Sequence, residues 1–371
     1  MAKSHRKMVT GVLLLVGALN GTVAAAGGHG GQDGQKSLLD ALEDMPALSV
    51  STVPVTGSQV GDQNPYGVTI VPVDSGVLKQ GDILVSDFNN VTNLQGTGSS
   101  IVRIEPGTGT QSLFFDAGGL VGLSTALVAL RSGFVVVGSA PRDFEATPPT
   151  VGNGSLIFLD CNGKVVLTLT DSALVNGPWD MTVNDTDPSR PRLFVSNVLL
   201  GTVVRIVAHV DKGVISIQSI TQIGSGFAFR TDPAALVIGP TGLALDPMTD
   251  RLFVADTGAN RIAQLGHAST AGVDQGPGST VFAGPPLEGP LGLLLTPTGH
   301  LIAANGDSVT NNTPNLAVEI TRQGKLIATK TLDTNGTPGA LFGITLTEFQ
   351  NKPSLVFVND NDNTVKILAT R

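Results

Sequence analysis

The chain is poor in the residues that mark several classes of protein. It has one cysteine, Cys161, so no intramolecular disulfide can form, and one tryptophan and one tyrosine. No cluster of lysine and arginine occurs, and the formal net charge is −8 at pH 7. This balance argues against nucleic acid and anionic membranes as partners. A chain of 371 residues can bury a core large enough to fold without a disulfide.

The first 26 residues have the pattern of a secretory signal peptide. Basic residues at 3–7 precede an apolar run at 8–19, and three alanines at 24–26 supply a cleavage site. The apolar run is shorter than a membrane-spanning helix needs. We therefore predict cleavage after Ala26, no membrane insertion of the mature chain, and a secreted or periplasmic location.

A linker follows at residues 27–47. Its first part, residues 27–34, consists mostly of glycine and is typical of a flexible tether. Residues 37–44 favour a short amphipathic helix with Ser37 near its start, which we interpret as a docking element. The remaining residues, 48–371, form the third and largest unit of the chain.

That unit is built from a repeated motif. The clearest copy, residues 239–265, reads GPTGLALDPMTDRLFVADTGANRIAQL. A glycine is followed by alternating apolar residues, a polar turn, a second apolar run that ends in Asp or Asn, another turn and a third strand. A unit of three or four short strands cannot bury its own faces, so the copies must pack against one another.

Six copies recur at intervals of about 50 to 60 residues. The anchor of the first strand is glycine in five copies and aspartate in one: Gly67, Gly122, Asp180, Gly242, Gly292 and Gly343. The second strand ends in a polar residue in each copy: Asp87, Ser139, Asn197, Asp256, Asn305 and Asp360.

These copies predict an all-β fold, a six-bladed β-propeller of four-stranded antiparallel blades. The last copy ends at Arg371, directly after its third strand, so it lacks an outer strand. Residues 48–55 alternate with period two and are free to supply it, and Pro54 is tolerable on an edge strand. We therefore predict that an N-terminal strand closes the last blade. A disordered approach segment is the alternative.

The copy at residues 240–262 resembles an NHL repeat, and the looser resemblance covers about residues 48 to 371. The wider group of gluconolactonase, NHL and TolB-like propellers includes binding scaffolds, lyases and calcium-dependent lactonases. A single tryptophan excludes propellers that repeat a Trp-Asp dipeptide. Because fold does not determine function, the resemblance predicts the architecture more firmly than the activity.

In a propeller, the loops that enter the first strands and leave the second strands open on one face, around the central channel. The residues before the six anchors therefore form a ring there: Tyr66, Val121, Trp179, Thr241, Leu291 and Phe342. The polar ends of the second strands form a second ring beside it. Oxygen ligands of this kind suit Ca²⁺, but the same residues also cap turns through their own backbone.

We predict a ligand site at this channel mouth. Asp180 replaces the glycine of the other copies and follows the only tryptophan, and such a departure from a local rule is typical of a functional position. The long loops 140–149 and 224–233 open on the same face. The predicted ligand-binding residues are Tyr66, Trp179, Asp180, Asp256, Asn305 and Arg230. If Ca²⁺ binds, the predicted ligands are Asp87, Asp180, Asn197, Asp256 and Asp360.

Two functions remain open at this point. The first is an exported, monomeric scaffold that binds a small molecule or a protein at the channel face, because no histidine, lysine or cysteine reaches that face in the repeat register. The second, implied by the resemblance, is a Ca²⁺-dependent lactonase or lyase. Enzymes of that kind place a glutamate among their metal ligands. Glu145 and Glu288 are the nearest ones here, and neither falls in the ring.

Overall fold

The computed structural model describes residues 36–56, 59–119, 121–307, 315–334 and 339–371. The predicted leader and the glycine-rich tether lie outside these residues. The chain begins with a single helical turn, α1 (Leu38–Ala41), whose N-cap Ser37 accepts a hydrogen bond from the Asp40 backbone at 3.0 Å. The helix is shorter than the expected 37–44. No helix within the described part of the chain is long and apolar enough to cross a membrane.

Six four-stranded antiparallel sheets follow, which confirms the predicted six-bladed propeller. The chain first forms β1 (Leu48–Ser51), β2 (Val55–Thr56) and β3 (Gln59–Val60). Blade 1 consists of β4 (Gln63–Ile70), β5 (Ile83–Asn89), β6 (Ser100–Glu105) and β7 (Thr110–Asp116). Blade 2 consists of β8 (Leu123–Ala129), β9 (Val135–Ser139), β12 (Ser155–Leu159) and β13 (Val165–Leu169), with the hairpin β10 (Arg142–Asp143) and β11 (Thr150–Val151) inserted.

Blade 3 consists of β14 (Pro178–Asn184), β15 (Arg192–Asn197), β16 (Thr202–Asp211) and β17 (Val214–Gly224), followed by the hairpin β18 (Arg230–Asp232) and β19 (Leu236–Ile238). Blade 4 consists of β20 (Pro240–Asp246), β21 (Arg251–Asp256), β22 (Arg261–Leu265) and β23 (Ser279–Ala283). Blade 5 consists of β24 (Leu293–Leu295), β25 (His300–Ala304), β26 (Asn315–Thr321) and β27 (Leu326–Asp333). Blade 6 consists of β28 (Leu341–Phe349), β29 (Lys352–Asn359), β30 (Thr364–Ala369) and β1.

The predicted N-terminal closure is confirmed. Strand β1 pairs antiparallel with β30, and Val50 lies opposite Val365. The strand is shorter than predicted, because the chain leaves the sheet after Ser51 and enters the β2–β3 hairpin at Val55. The closing strand thus fills the outer position that the sixth repeat lacks.

Large apolar side chains of the second strands fill the spaces between blades. Phe194, Phe253 and Phe357 are at most 1% exposed, as the repeat register predicts. Phe194 packs against the core of blade 4, Phe253 against blade 5, and Phe357 against a cluster that includes Leu39 of α1. Each blade therefore depends on its neighbour for burial.

Four of the five anchor glycines are required by close approach of the next blade's inner segment: Gly67, Gly242, Gly292 and Gly343. Gly242 donates its N–H to the Leu291 carbonyl of blade 5 at 2.8 Å. A Cβ at Gly242 would overlap that carbonyl and lie 2.7 Å from the Leu293 nitrogen. Neither backbone atom can move without shifting a whole strand, so the glycine sets the spacing of the blades.

We expect Gly242→Ala to lower the free energy of unfolding by about 1–3 kcal/mol, the usual cost of overpacking. Urea unfolding measures it. The matched control is Gly107→Ala, because a Cβ at Gly107 meets nothing within 4 Å. Equal stability of the two variants would contradict the close approach.

Candidate functional site at the channel mouth

Aromatic side chains close the channel at the level of the predicted first ring. Tyr66 stacks on Phe88 with ring centroids 4.7 Å apart and packs on Phe342 at 4.2 Å. Trp179 meets Tyr66 edge-on at 5.7 Å and Phe88 at 5.5 Å. Tyr66, Phe342 and Trp179 come from the inner strands of blades 1, 6 and 3, so the contacts span the channel. Tyr66, Phe88, Trp179 and Phe342 together form an aromatic floor.

β-Bulges aim the ring residues at the channel. In blade 1 the register shifts between Pro65 and Gly67, and in blade 3 between Pro178 and Asp180, which leaves Tyr66 and Trp179 unpaired. An unpaired residue at a bulge turns its side chain away from the regular alternation. The repeat register thus predicts the positions of Tyr66 and Trp179, and the bulges determine where their side chains point.

The predicted register of blade 2 is wrong. Its inner strand begins after Gly122, and its shift falls between Leu123 and Leu127, where the strand has two extra residues against one in blade 1. Thr125, not Val121, therefore takes the ring position, and its hydroxyl donates to the Trp179 carbonyl.

Two hairpins flank the aromatic floor. Hairpin β10–β11 contacts hairpin β18–β19, and Val151, Leu236 and Val237 join the same buried cluster as Tyr66 and Trp179. Leu236 is buried although its φ is +65°, a conformation that costs energy for leucine and that the packing must hold in place. The floor is therefore covered by residues 236–237, which lie just after the predicted loop 224–233. Phe227 of that loop packs between blades 3 and 4 instead.

Two carboxyl groups, those of Asp307 and Asp360, act electrostatically on Tyr66. Burial raises the pKa of Asp307 to about 7, with a further rise from Asp232 and a decrease from Arg230. Burial also raises the pKa of Asp360 to about 6. Loss of hydration raises the pKa of Tyr66 well above its usual value, and the charges of Asp307 and Asp360 raise it further. Both carboxyl groups thus act on the phenol, and burial raises the pKa of each of them.

Arg230 reaches this region from the β18–β19 hairpin. Its guanidinium lies 3.7 Å from the Asp232 carboxylate and is 56% exposed. The hairpin is held to blade 1 by the Gln95 side chain, which donates to the Ala234 carbonyl at 3.2 Å. Arg230, which the sequence predicts to bind a ligand, therefore lies on the edge of the mouth.

Asp180 bridges two blades. Its carboxyl oxygens accept from the Met181 N–H at 2.7 Å and from the Leu243 N–H of blade 4 at 3.3 Å. Burial raises the pKa of Asp180 to about 8, against the effect of these two hydrogen bonds. The departure from glycine thus has a packing explanation, since the carboxyl group connects strands that a glycine places in direct contact elsewhere.

The polar ends of the second strands mostly hold loops. The Asn197 amide accepts from the Asn176 N–H at 3.2 Å and donates to the Leu174 carbonyl at 2.9 Å. Asn305 binds the next connection in the same way, accepting from Glu288 N–H and donating to the Pro286 carbonyl. Each amide therefore pairs with backbone groups of the segment that leads into its own blade, as a neighbouring strand would.

The acidic members of that ring are also engaged. Asp256 accepts from the Arg261 Nε at 2.7 Å, and Asp87 accepts from the Ser100 hydroxyl at 3.3 Å. Burial raises the pKa of both carboxyls. In blade 6 the position belongs to Asn359, which lies opposite Leu341, so Asp360 is one residue beyond the predicted register.

These residues do not converge on a cation. Within the described ranges, no group of three or more His, Cys, Asp and Glu side chains could hold a metal ion. Of the five predicted calcium ligands, Asn197 and Asp256 are bonded as above, and Asp87 is fully buried. The donor set therefore does not fit Ca²⁺ in the way that the resemblance implied.

Sequence reasoning missed Asp307 and Asp232 as neighbours of the mouth carboxyls. Asp307 lies two residues beyond Asn305, outside the repeat register, and its N–H donates to the Gly289 carbonyl at 2.9 Å. The sequence offered one indication of Asp307: like Asp360, it is an acidic residue shortly after the end of a second strand.

Comparison with known proteins shows the fold. No family model matches the chain, and no curated protein matches it. A solved gluconolactonase from Xanthomonas campestris is 15% identical, and the match covers 89% of this chain and 100% of that one, with a TM-score of 0.51. The chain shares that propeller fold.

Two further structures are similar over most of their length. The calcium-binding protein regucalcin from Agrobacterium tumefaciens is 13% identical, with 84% of this chain and 92% of that one covered and a TM-score of 0.49. A chain of a nidogen–laminin complex is 14% identical, with 80% and 95% covered and a TM-score of 0.47. Likenesses at these identities show architecture and not activity.

Proposed function

We propose that the channel mouth is the active site of a hydrolase that opens small lactones. The observation that carries this proposal is the pair of carboxyl groups that act on Tyr66, Asp360 with a pKa of about 6 and Asp307 with a pKa of about 7. Near neutral pH the first is mostly ionised and the second is partly protonated, which suits a general base and a general acid.

The reaction uses water and both carboxyl groups. The Asp360 carboxylate takes a proton from a water molecule while the water oxygen attacks the lactone carbonyl carbon. The ring C–O bond then breaks, and the ring oxygen leaves with the proton of the Asp307 carboxyl. A hydroxy acid results, and proton exchange with solvent restores both groups. The aromatic floor is buried and excludes water from the region beneath the reacting groups.

The substrate class rests on the site and on the fold together. The mouth combines an apolar floor with a few converging polar groups, the usual composition of a small-molecule site. A gluconolactonase has the same fold. Arg230 at the edge supplies a positive charge near Asp307, which can attract the carboxylate of the product.

Binding without turnover is the second candidate. It is favoured by the second-strand ring, whose members Asn197, Asn305 and Asp256 are bonded to the chain itself. A scaffold needs only the mouth and its hairpins, and either a small molecule or a protein segment would then be the occupant.

The test is hydrolysis of a panel of γ- and δ-lactones across pH. We expect kcat/KM to be bell-shaped with a maximum between pH 6 and 7, because its limbs report the pKa values of the free enzyme. Asp360→Asn should remove the acidic limb and lower kcat/KM by about 100-fold or more, the usual contribution of a general base. Asp307→Asn should remove the basic limb with a loss of the same order.

The control is Asp211→Asn, because Asp211 is exposed at the end of β16 and lies outside the mouth. It should hydrolyse lactones like the parent protein. Saturable ligand binding without hydrolysis of any lactone would favour the scaffold. Hydrolysis that survives Asp360→Asn and Asp307→Asn together would place the chemistry elsewhere.

A further inference from the structure

Two blades carry an acidic and a basic side chain in contact at the same two positions of their sheets. In blade 1 the carboxylate of Asp82, directly before β5, accepts from Nε of Arg103 on β6 at 2.6 Å. In blade 5 the order is reversed, and His300 at the start of β25 contacts the Glu319 carboxylate on β26 at 2.7 Å. In both blades the first residue lies two positions before the one that is paired with its partner, so the two contacts are equivalent.

In blade 3 both of these positions hold arginine. Arg192 begins β15, and Arg205 on β16 lies opposite Phe194, two positions after Arg192. Where blade 1 has DILVSD at residues 82–87, blade 3 has RLFVSN at residues 192–197, so Arg192 stands in the place of Asp82. A positive charge has therefore replaced the carboxylate that binds the equivalent arginine of blade 1. We call Arg192 and Arg205 the arginine pair.

Arg205 lacks an acceptor at the atom that the carboxylate binds in blade 1. Its side chain is 9% exposed, and Nη1 donates to the Ala268 carbonyl of blade 4 at 3.0 Å, but the buried Nε has no partner among the described residues. Burial and the charge of Arg192 lower the pKa of Arg205, while Asp250 raises it without coming within ion-pair distance. Because an arginine keeps its proton in a protein, this buried cation lacks a bonded counter-charge.

The arginine pair borders solvent through Arg192. The side chain of Arg192 is half-buried and makes no hydrogen bond or ion pair within the described part of the chain. Asp187 acts on it electrostatically, but Asp187 is exposed, so water and salt screen that interaction. Arg192 and Asn197 are the two ends of β15, and Asn197 belongs to the ring at the channel mouth. The arginine pair therefore lies toward the end of blade 3 that is away from the mouth.

The outer strand adds hydroxyl groups to the same face of the blade. Thr221 and Ser219 on β17 lie opposite Arg205 and Val207, and residues paired in this way share a face of the sheet. Neither hydroxyl binds another residue in the described ranges. Two guanidinium groups and two hydroxyl groups on one face suit the several oxygens of a phosphate better than the two oxygens of a carboxylate.

We propose that the arginine pair binds a phosphate group in the place that the Asp82 carboxylate occupies in blade 1. One phosphate oxygen accepts from Nε of Arg205, and the others accept from Arg192 and the hydroxyl groups. Guanidinium groups match the geometry of phosphate and bind it through charge-assisted hydrogen bonds. The ligand is inorganic phosphate or a small phosphate monoester. The site lies apart from the channel mouth and does not depend on lactone hydrolysis.

The first test is binding of inorganic phosphate to the unaltered protein, measured by isothermal titration calorimetry and by Tm. We expect a saturable heat of binding and a rise in Tm, because a ligand that binds the folded state stabilises it. Sodium acetate at equal ionic strength should produce neither. A response to phosphate no larger than that to acetate would overturn the proposal. Glycerol 3-phosphate separates the two sources: equal affinity assigns the site to monoesters, and no binding assigns it to the free ion.

Arg192→Asp restores the charge pattern of blade 1. The new carboxylate should pair with Arg205, raise Tm in phosphate-free buffer and abolish the response to phosphate. Arg192→Gln removes one charge without supplying a carboxylate, and it should weaken phosphate binding by about 10-fold or more, as expected for a lost hydrogen bond to a charged group. Parental affinity for phosphate in either folded variant would contradict the assignment. If Arg192→Asp does not fold, Arg192→Gln decides.

Arg251→Gln is the matched control. Arg251 begins β21 and occupies in blade 4 the position of Arg192, but Gln264 stands there in the place of Arg205, opposite Phe253. This variant has the same net charge as Arg192→Gln, and it should bind phosphate like the parent protein. An equal loss of affinity in both glutamine variants would reduce the effect to net charge and remove the site. None of these measurements uses a lactone, so their outcome leaves the proposed function untouched.

Discussion

Phe253→Ala should lower the free energy of unfolding by about 3–5 kcal/mol, as core phenylalanine truncations usually do. Phe253 is fully buried on the second strand of blade 4, and it packs against Leu293, Leu301 and Val318 of blade 5. Truncation leaves a cavity between two blades, and the surrounding strands cannot close it because their backbones are paired on both sides. Chemical denaturation monitored by circular dichroism measures the loss.

The matched control is Phe144→Ala. Phe144 is 60% exposed on the blade 2 insertion, so its truncation should change stability by no more than about 0.5 kcal/mol. Phe194 occupies the equivalent position of blade 3, and its truncation should cost as much as that of Phe253. Phe357 lies one residue outside this register, because Asn359 ends the second strand of blade 6, and the predicted equivalence of the three phenylalanines is wrong for Phe357. A loss below about 1 kcal/mol for Phe253→Ala would be incompatible with an inter-blade position.

The architecture was predictable because it depends on local patterns. Alternating apolar residues, turn residues and a period of about 50 to 60 residues are all visible in a sequence. The closing strand followed from a count, since the sixth repeat ended one strand short. Its pairing of Val50 with Val365 agrees with that reasoning, although the strand ends at Ser51.

The site was predictable only in part, because it depends on register across the channel. Tyr66 and Trp179 followed from the repeat and do meet. The predicted register of blade 2 was wrong because Gly122 is not its anchor, and the strand pairing puts Thr125, not Val121, at the ring position. Asp307 was missed because it lies outside the repeat register, and its effect on Tyr66 arises between residues far apart in the sequence.

The buried carboxyl group of Glu319 binds the N-terminal segment by hydrogen bonds, and the sequence did not predict this contact. The Glu319 carboxylate accepts from the Ser37 hydroxyl at 2.7 Å, from the Leu39 N–H at 2.9 Å and from the Leu38 N–H at 3.1 Å. It also pairs with His300 at 2.7 Å. Glu319 is thus the anchor of α1, which leads directly into the closing strand β1.

Glu319→Ala should therefore cost at least about 1–3 kcal/mol, the usual penalty for leaving one buried hydrogen-bonding group without its partner. It leaves four groups without their acceptor and loosens the segment that supplies β1, so amide exchange at Val50 should rise together with the loss of stability. Glu319→Gln, which keeps the shape and one acceptor oxygen, should lose less. Glu348→Ala is the control, because Glu348 is exposed on β28. If Glu319→Ala unfolded at the same denaturant concentration as Glu348→Ala and kept Val50 protected, blade 6 would be closed by the β1–β30 pairing alone, and the buried carboxylate would have no part in holding the ring.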